Sequence, residues 1–273
     1  MNRFPLSIAG LDPSGGAGLF QDLRVFSALG LSGWGVPTAL TIQSLRGVRG
    51  ASPVDSALFS AMLAALSDGG RPSSIKIGLM PASLVGPLSD YLDGLSGEVF
   101  RILDPVFLYG TGGSLHSPQD YREMARVLFP RVDLVTPNIP EAQELTGAIL
   151  ERTPEDLVFM ARRLRDQFGA RAALLKGGHQ AGEGERTDLL LTASGERLFC
   201  HPFLRLPGIH GGGCTLSSLV AGLLARGNVS LEAAVFEALS HYQKLLSKVT
   251  GEERSVLDPD LLRRSFSDPD VSS

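Results

Sequence analysis

Short apolar runs alternate with amphipathic segments along most of this chain. The runs that predict β-strands cover residues 6–9, 34–40, 75–78, 100–103, 133–136 and 172–176. Helical patterns lie between these runs. Strands that alternate with helices indicate βαβ units, so the sequence predicts an α/β fold with a central, mostly parallel sheet.

Several helix starts can be predicted from their capping residues. Ser52-Pro53 is predicted to open a helix, because apolar residues follow it at a period of about 3.6 residues. Ser117-Pro118 and Thr153-Pro154 have the pattern of a polar N-cap followed by proline at the first helical position. Gly169 is predicted to end the helix that starts at Thr153-Pro154.

The pattern changes after residue 176. Residues 188–192 and 197–201 predict a β-hairpin, and residues 213–226 and 231–249 predict two helices. No linker or internal repeat divides the chain. We therefore expect one domain over residues 1–250, followed by a polar tail at 251–273 whose end is expected to be disordered.

Composition and charge exclude several classes of protein. The chain has 273 residues, a net charge of −4 and a pI of about 5.8, without the Lys and Arg clusters of a nucleic-acid-binding protein. Its apolar runs end well short of the ~20 residues of a membrane span. We see no signal peptide and expect a cytosolic protein. Its two cysteines, Cys200 and Cys214, do not indicate a disulfide framework or a zinc site.

A first glycine-rich segment, at residues 10–18, follows the first predicted strand and precedes a helix. It lacks the Gly-Lys-Ser/Thr of a P-loop, and its spacing does not fit a dinucleotide fingerprint. One interpretation is a tight turn. The other is a ligand-binding loop, in which Asp12 and Asp22 could accept hydrogen bonds from a ligand.

Two further glycine-rich segments follow later strands. Lys176 stands before two glycines at a strand end, where it could contact a phosphate or could be a surface lysine beside a turn. Residues 210–215 precede an apolar helix, and successive backbone N–H groups at such a helix start can bind an anion. Cys214 lies at this helix start. It is either a small packing residue or a thiol whose pKa the helix dipole lowers.

Asn138 and Glu141 follow the predicted strand at residues 133–136, three positions apart. They could reach one Mg²⁺ ion or its water ligands. The alternative is a capping box, in which Asn138 is the N-cap and Glu141 returns a hydrogen bond to the backbone.

Taken in order, these segments resemble the hydroxymethylpyrimidine/phosphomethylpyrimidine kinases of the ribokinase superfamily. The resemblance runs from about residue 6 to about residue 240. It rests on residues 7–18, 38–43, 75–80, 103–106, 135–142, 175–179 and 210–217.

The resemblance implies a three-layer αβα sandwich in which ATP and substrate meet at the carboxyl edge of the sheet. The implied reaction is phosphorylation of the hydroxymethyl group of an aminopyrimidine by ATP and Mg²⁺, and then of its monophosphate, in thiamine biosynthesis. It also implies a homodimer that binds a small-molecule substrate, while the composition predicts neither a nucleic-acid nor a membrane partner.

The resemblance further implies roles for individual residues. Those expected to bind the pyrimidine are Gly18, Asp22, Gln43, Met80 and Val106. Those expected to contact ATP are Lys176, Asn138 and Gly212. Those expected to hold Mg²⁺ and its waters are Asp104, Asn138 and Glu141. Those expected to take part in catalysis are Cys214 as the base, Lys176, and the two glycines of the anion hole, Gly211 and Gly213.

The chain departs from the family pattern at two places near the expected phosphates. Gly212 stands where threonine is usual, and a loop that normally carries lysine has Gly110. These departures favour one alternative, a non-catalytic pyrimidine-binding homologue. The other alternative is pyridoxal kinase, because that activity occurs on the same scaffold with a ligand of similar size.

Overall fold

A computed structural model describes residues 4–44, 47–109, 113–114, 116–148, 153–177, 185–202, 204, 206, 208–249 and 255–267. Gly178 and His179 of the lysine-containing motif, Gly110 of the loop and residues 268–273 of the tail lie outside these ranges.

The strands, in chain order, are β1 Pro5–Leu11, β2 Trp34–Ser44, β3 Gly47–Pro53, β4 Ser74–Ile77, β5 Phe100–Leu103, β6 Leu108–Tyr109, β7 Gly113–Ser114, β8 Leu134–Val135, β9 Ala173–Leu175, β10 Glu185–Thr192, β11 Gly195–Pro202, β12 Ile209–His210 and β13 Ser255–Val256. The α-helices are α1 Gly18–Ala28, α2 Ser56–Gly69, α3 Val85–Gly94, α4 Pro118–Leu128, α5 Ile139–Thr146, α6 Pro154–Phe168, α7 Gly212–Arg226, α8 Leu231–Leu246 and α9 Asp260–Ser267. Short 3₁₀ turns cover Ala82–Leu84 and Phe129–Arg131.

The main sheet is parallel in its centre and antiparallel at both sides. Its strand order is β11-β10-β9-β8-β5-β4-β1-β2-β3. The strands from β9 to β2 in this order pair in parallel, whereas β3, β10 and β11 add antiparallel pairs. The predicted mostly parallel sheet is confirmed, as is the hairpin of β10 and β11.

Both faces of the sheet are covered by apolar cores. Successive residues of its central strands belong to different cores, one on each face. In β5, Leu103 belongs to the core under α2–α6, whereas Ile102 belongs to the core under α1, α7 and α8. In β8, Val135 and Leu134 divide in the same way. Strands buried on both faces form near-continuous apolar runs. The three-layer αβα architecture expected from the sequence is therefore confirmed.

The helix ends follow the predicted capping chemistry at α4 and α6. The Ser117 side chain accepts a hydrogen bond from the backbone N–H of Asp120, and Thr153 forms a capping box with Asp156. Gly169 ends α6 in the left-handed conformation, with φ of +72°. These ends agree with the sequence analysis.

The helix start predicted at Ser52-Pro53 is wrong. These two residues end β3, which pairs with β2, and α2 begins at Ser56 with Asp55 as its N-cap. The side chain of Asp55 accepts a hydrogen bond from Leu58 N at 2.9 Å. Proline can end this edge strand because an edge leaves one row of backbone groups without strand partners.

Part of the polar segment after residue 250 returns to the body of the protein. Ser255 and Val256 pair with Ile209 and His210, immediately before α7. Arg24 of α1 forms an ion pair with Asp258 at 2.9 Å.

Among the described residues, no helix is long and apolar enough to cross a membrane.

A fully buried ion pair joins the sheet to the helices on one of its faces. Lys76 of β4 donates to both carboxylate oxygens of Asp22 in α1, at 2.8 and 3.0 Å. Ser7 of β1 and Ser218 of α7 donate to the same carboxylate, at 2.6 and 2.7 Å. One carboxylate therefore receives hydrogen bonds from two strands and a second helix.

We predict that Asp22→Ala lowers the free energy of unfolding by about 3–5 kcal/mol, because it leaves the Lys76 ammonium buried without its carboxylate. The double variant Asp22→Leu/Lys76→Met removes both charges and should be more stable than the single one. Urea unfolding followed by circular dichroism measures both.

Asp93→Ala serves as the control, because Asp93 pairs with Arg131 at the surface, where an ion pair contributes about 0–1 kcal/mol. A loss for Asp22→Ala as small as that of the control would contradict the prediction.

Candidate active site

A cleft of about 330 Å³ lies at the carboxyl edge of the central strands. Ligands bind at this edge in open α/β sheets, where the loops that follow the parallel strands converge. The predicted site residues that line the cleft are Gly18, Gln43, Asp104, Val106, Asn138, Glu141, Lys176, Gly211, Gly212, Gly213 and Cys214.

Asp22 and Met80 are not where a bound pyrimidine could reach them. Asp22 is completely buried beneath the cleft, and its two oxygens already accept from Lys76, Ser7 and Ser218. Met80 is 1% exposed and packs in the core under α2–α6. Both expected substrate contacts are therefore corrected, and the structure makes Asp22 part of the buried ion pair.

The first glycine-rich loop is closed by the carboxylate of Asp12. Asp12 accepts from the backbone N–H groups of Ser14 and Ala17 at 2.9 and 3.0 Å, and it contacts His210 at 2.7 Å. Burial opposes the charge of Asp12, but His210 and Ser14 outweigh burial and hold its pKa below the ordinary value. Although Asp12 also lines the cleft, its hydrogen bonds hold the loop together.

His210 connects that loop to Gln43 of β2. The Nε2 atom of His210 lies 2.7 Å from Oδ2 of Asp12 and 2.8 Å from Nε2 of Gln43. His210 is 4% exposed and precedes the glycines of α7. A ring nitrogen that donates to Asp12 has no lone pair for an amide N–H, so the Gln43 side chain lies against His210 without a second hydrogen bond to this atom.

The start of α7 forms the floor of the cleft and needs glycine for close packing. Gly211 has a φ of +73°, and a Cβ there would collide with the carbonyl of Gly16. A Cβ on Gly213 would lie 3.1 Å from Nζ of Lys176 and 3.3 Å from Oδ2 of Asp104. The first N–H groups of a helix have no partner within it, so this start can bind an anion.

Cys214 lies in the first turn of α7, but its thiol differs from the expectation. Burial raises the pKa of Cys214 to about 11. The Lys76 ammonium and a backbone hydrogen bond from Gly18 oppose the rise, whereas the carboxylates of Asp22 and Asp104 add to it. Of the two interpretations that the sequence left open, the thiol of lowered pKa is contradicted, because burial disfavours the thiolate.

Lys176 is a cleft residue rather than a free surface lysine. Its ammonium lies 2.7 Å from Oδ1 of Asp104, which also accepts from Thr136 at 3.1 Å. Burial disfavours both charges, but the attraction between them lowers the pKa of Asp104 and raises that of Lys176. The pair joins the ends of β5 and β9 at the cleft.

Asn138 and Glu141 form the capping box that the sequence left as one of two possibilities. Asn138 Oδ1 accepts from Glu141 N at 2.9 Å, and Glu141 Oε2 accepts from Asn138 N at 2.8 Å. The cap uses one of the two lone pairs of the Asn138 side-chain oxygen, so the capping interpretation holds and the metal role of Asn138 stays a prediction.

Two carboxylates, Asp104 and Glu141, remain near a possible cation position. Among the described residues, no group of three or more His, Cys, Asp or Glu side chains could hold a metal ion. Mg²⁺, however, takes only one or two protein carboxylates beside phosphate and water. Burial raises the pKa of Glu141 to about 7; the Lys176 ammonium opposes the shift and the Asp104 carboxylate adds to it. Because Asp104 is already paired with Lys176, a cation bound beside Glu141 would favour the ionised form of Glu141.

Sequence reasoning missed two cleft residues with clear roles, Lys76 and His210. Lys76 lines the floor of the cleft although it is buried within β4. A lysine inside the apolar run at residues 74–77 was an available signal, because a buried lysine requires a partner. No local pattern marked His210 as the connection between Asp12 and Gln43.

Comparisons with known proteins identify the family of this chain. The sequence profile of the family described as phosphomethylpyrimidine kinase matches residues 12–256. The hydroxymethylpyrimidine/phosphomethylpyrimidine kinase of Escherichia coli strain K12 is 37% identical over 227 residues, which are 81% of this chain and 82% of the relative. The protein of the same name from Staphylococcus aureus strain MRSA252 is 30% identical over 246 residues, or 90% and 87% of the two chains.

Two solved structures share the fold over most of their length. The phosphomethylpyrimidine kinase of Clostridium difficile 630 has a TM-score of 0.76 and 29% identity, covering 89% of this chain and 99% of that one. The pyridoxal kinase of Staphylococcus aureus in complex with AMP-PCP and pyridoxal has a TM-score of 0.83 and 25% identity, with coverages of 95% and 94%. With the profile match and the relatives at 37% and 30% identity, the chain belongs to the phosphomethylpyrimidine kinase family.

Proposed function

We propose that this chain is an ATP-dependent kinase of 4-amino-5-hydroxymethyl-2-methylpyrimidine, of its monophosphate, or of both, and that it serves thiamine biosynthesis. One observation carries the proposal. Gln43 and Val106 line the same cleft as the anion-binding start of α7 and Lys176. A substrate held by the first pair therefore has its hydroxymethyl group beside a phosphate held by the second.

The pyrimidine end of the cleft combines an amide with small and apolar surfaces. Gln43 offers a donor and an acceptor to the ring nitrogens or the amino group. Val106 and Leu79 offer apolar surface, and Gly18 lets the ring approach the backbone. Gly18 has a φ of +55°, and a Cβ there would collide with the carbonyl of Gly10.

The phosphate end supplies positive charge and N–H donors. Phosphoryl transfer requires mainly positioning and stabilisation of charge on the equatorial oxygens. The N–H groups of Gly212, Gly213 and Cys214 and the ammonium of Lys176 can provide this stabilisation. Both are fixed before ligand binding, the first by α7 and the second by its ion pair with Asp104.

Asp104 and Glu141 would hold Mg²⁺ in this proposal, directly or through water. Bound Mg²⁺ would neutralise charge on the phosphates of ATP. Asn138 would hold Glu141 in place through the capping box and would line the ATP side of the cleft.

Cys214 is proposed as the group that takes the proton of the attacking hydroxyl. With a pKa of about 11, the thiol form of Cys214 predominates at neutral pH in the free enzyme. The role as base therefore requires bound ligands to favour the thiolate, and Lys76 is the cation that already acts in that direction.

The pyridoxal kinase alternative has a solved neighbour bound to AMP-PCP and pyridoxal at 25% identity, but the relatives at 37% and 30% identity are named pyrimidine kinases, which favours the pyrimidine. The non-catalytic alternative is disfavoured, because Lys176, Asp104 and Cys214 remain together at the cleft. A protein that only binds a pyrimidine has no need for this combination.

The proposal also includes a cytosolic location, a homodimer and a single kinase domain over residues 1–250, as expected from the sequence. Sedimentation equilibrium would measure the oligomeric state.

We predict turnover of hydroxymethylpyrimidine that requires both ATP and Mg²⁺ and exceeds turnover of pyridoxal assayed in parallel. Gln43→Ala should raise the KM for the pyrimidine about tenfold and leave the KM for ATP unchanged, because one or two hydrogen bonds are lost. Gln167→Ala, an exposed glutamine on α6, serves as the control. Binding of the pyrimidine without turnover of either substrate would favour the non-catalytic alternative.

We predict that iodoacetamide modifies the exposed Cys200 much faster than Cys214 at pH 7.5. The thiolate is the reactive form, so the modification rate of Cys214 should rise about tenfold per pH unit up to its pKa. Peptide mass spectrometry measures both rates, and Cys200→Ser isolates Cys214. Modification of Cys214 at pH 7.5 as fast as that of Cys200 would contradict the raised pKa.

We predict that Cys214→Ala lowers kcat about 10²- to 10⁴-fold, the usual range for a general base. Cys214→Asp should recover part of the loss, because a carboxylate can accept a proton at this position. Steady-state kinetics at saturating ATP measures both variants. Equal activity of Cys214→Ala and the unaltered protein would remove Cys214 from the mechanism.

A further inference from the structure

The cleft continues into a second pocket of about 370 Å³. The two share a boundary that is formed by Asn138, Lys176, Ile209, Gly212 and Gly213. A ligand can therefore extend from the pyrimidine end, past the start of α7, into this second pocket.

The second pocket combines apolar walls with a cation. Leu204, Leu206, Leu216 and Leu246 give it surfaces that suit a flat, weakly polar group such as a nucleobase. Arg186 of β10 also lines it. The described residues that line this pocket include two cations, Lys176 and Arg186. Lys176 also lines the pyrimidine cleft, whereas Arg186 does not.

Arg186 is held in place by a carboxylate and an aromatic ring. Its Nη2 atom donates to Oδ2 of Asp188 at 3.1 Å, and Asp188 is completely buried. Its guanidinium also lies over the ring of Tyr242 of α8, with Cζ 5.9 Å from the centre of the ring. A guanidinium has five N–H donors, so these two partners leave donors for a ligand.

The same carboxylate positions the turn that follows Lys176. Oδ1 of Asp188 accepts from the backbone N–H of Gly177 at 2.7 Å. A Cβ on Gly177 would collide with the carbonyl of Thr187, so β10 lies directly against this turn. Asp188 therefore fixes Arg186 and the chain at Lys176 relative to each other.

Tyr242 also packs against the anion-binding start of α7. A Cβ on Gly212 would lie 2.6 Å from the hydroxyl oxygen of Tyr242. The phenol thus occupies the space that a side chain at residue 212 would need, and it brings a hydroxyl group next to the start of α7.

We propose that Arg186, positioned by Asp188 and Tyr242, binds the phosphates of the nucleoside triphosphate that are not transferred. The identity of this ligand rests on the proposed function. A guanidinium suits phosphate oxygens because it can donate two parallel hydrogen bonds. Lys176 lines both pockets and so serves the transferred phosphate, whereas Arg186 lies only on the side away from the pyrimidine. Arg186 contributes to nucleotide affinity more than to the chemical step.

Direct binding of ATP, ADP and adenosine, measured by calorimetry without a pyrimidine, tests the proposal. Arg186→Ala should weaken ATP and ADP binding about ten- to a hundredfold, as expected for loss of a hydrogen bond between charged groups. Adenosine has no phosphate, so its affinity should change by less than about twofold. Arg197→Ala, an exposed arginine on the neighbouring β11, is the matched control and should bind all three ligands normally.

An equal loss for adenosine would overturn the proposal, because Arg186 would then only shape the pocket. Unchanged binding of ATP would overturn it as well. If Arg186→Ala fails to fold, Arg186→Gln, which can still donate to Asp188, takes its place with the same expected pattern. Since no pyrimidine is present, a failure of the proposed pyrimidine kinase activity would not affect this result.

Discussion

The cleft depends on one buried interaction, the ion pair between Asp22 and Lys76. Both side chains are completely removed from water, which costs free energy unless each charge is paired and hydrogen-bonded. Hydrogen bonds from Ser7 and Ser218 complete the network, so the carboxylate is satisfied only when α1 and α7 lie correctly on the sheet. The start of α7 carries the anion-binding glycines, and the ion pair therefore positions them.

The same pair sets the electrostatics of the cleft floor. Lys76 faces Asp22 most closely, so only part of its positive charge is available to stabilise a Cys214 thiolate. Higher in the cleft, Lys176 is balanced by Asp104, and Glu141 adds a further acidic group. Each buried lysine thus has its own carboxylate. This arrangement holds the cations in place before a phosphate arrives, whereas a single unpaired cation could not remain buried.

Local patterns in the sequence were sufficient for most of the fold. The strands of the main sheet other than β3, the helix ends at Ser117 and Gly169 and the hairpin of β10 and β11 were predicted, because they depend on residues close together in the chain. The error at Ser52-Pro53 has a physical reason. Ser-Pro is compatible with a helix start and with the end of an edge strand, and only pairing with β2 decides between them.

By itself, the sequence determined the αβα class, the family and the edge of the sheet where the site lies, because glycine-rich motifs after strands depend on local order. Only the tertiary structure decided that Asp22 lies beneath the cleft, that Asn138 and Glu141 cap a helix, and that the pKa of Cys214 is raised. The position of Asp22 and the pKa of Cys214 depend on burial and on partners that are distant in the chain. The capping box is local, and it depends on which of two compatible conformations forms. Desolvation and ion pairing are properties of the packed structure, and no local pattern encodes them.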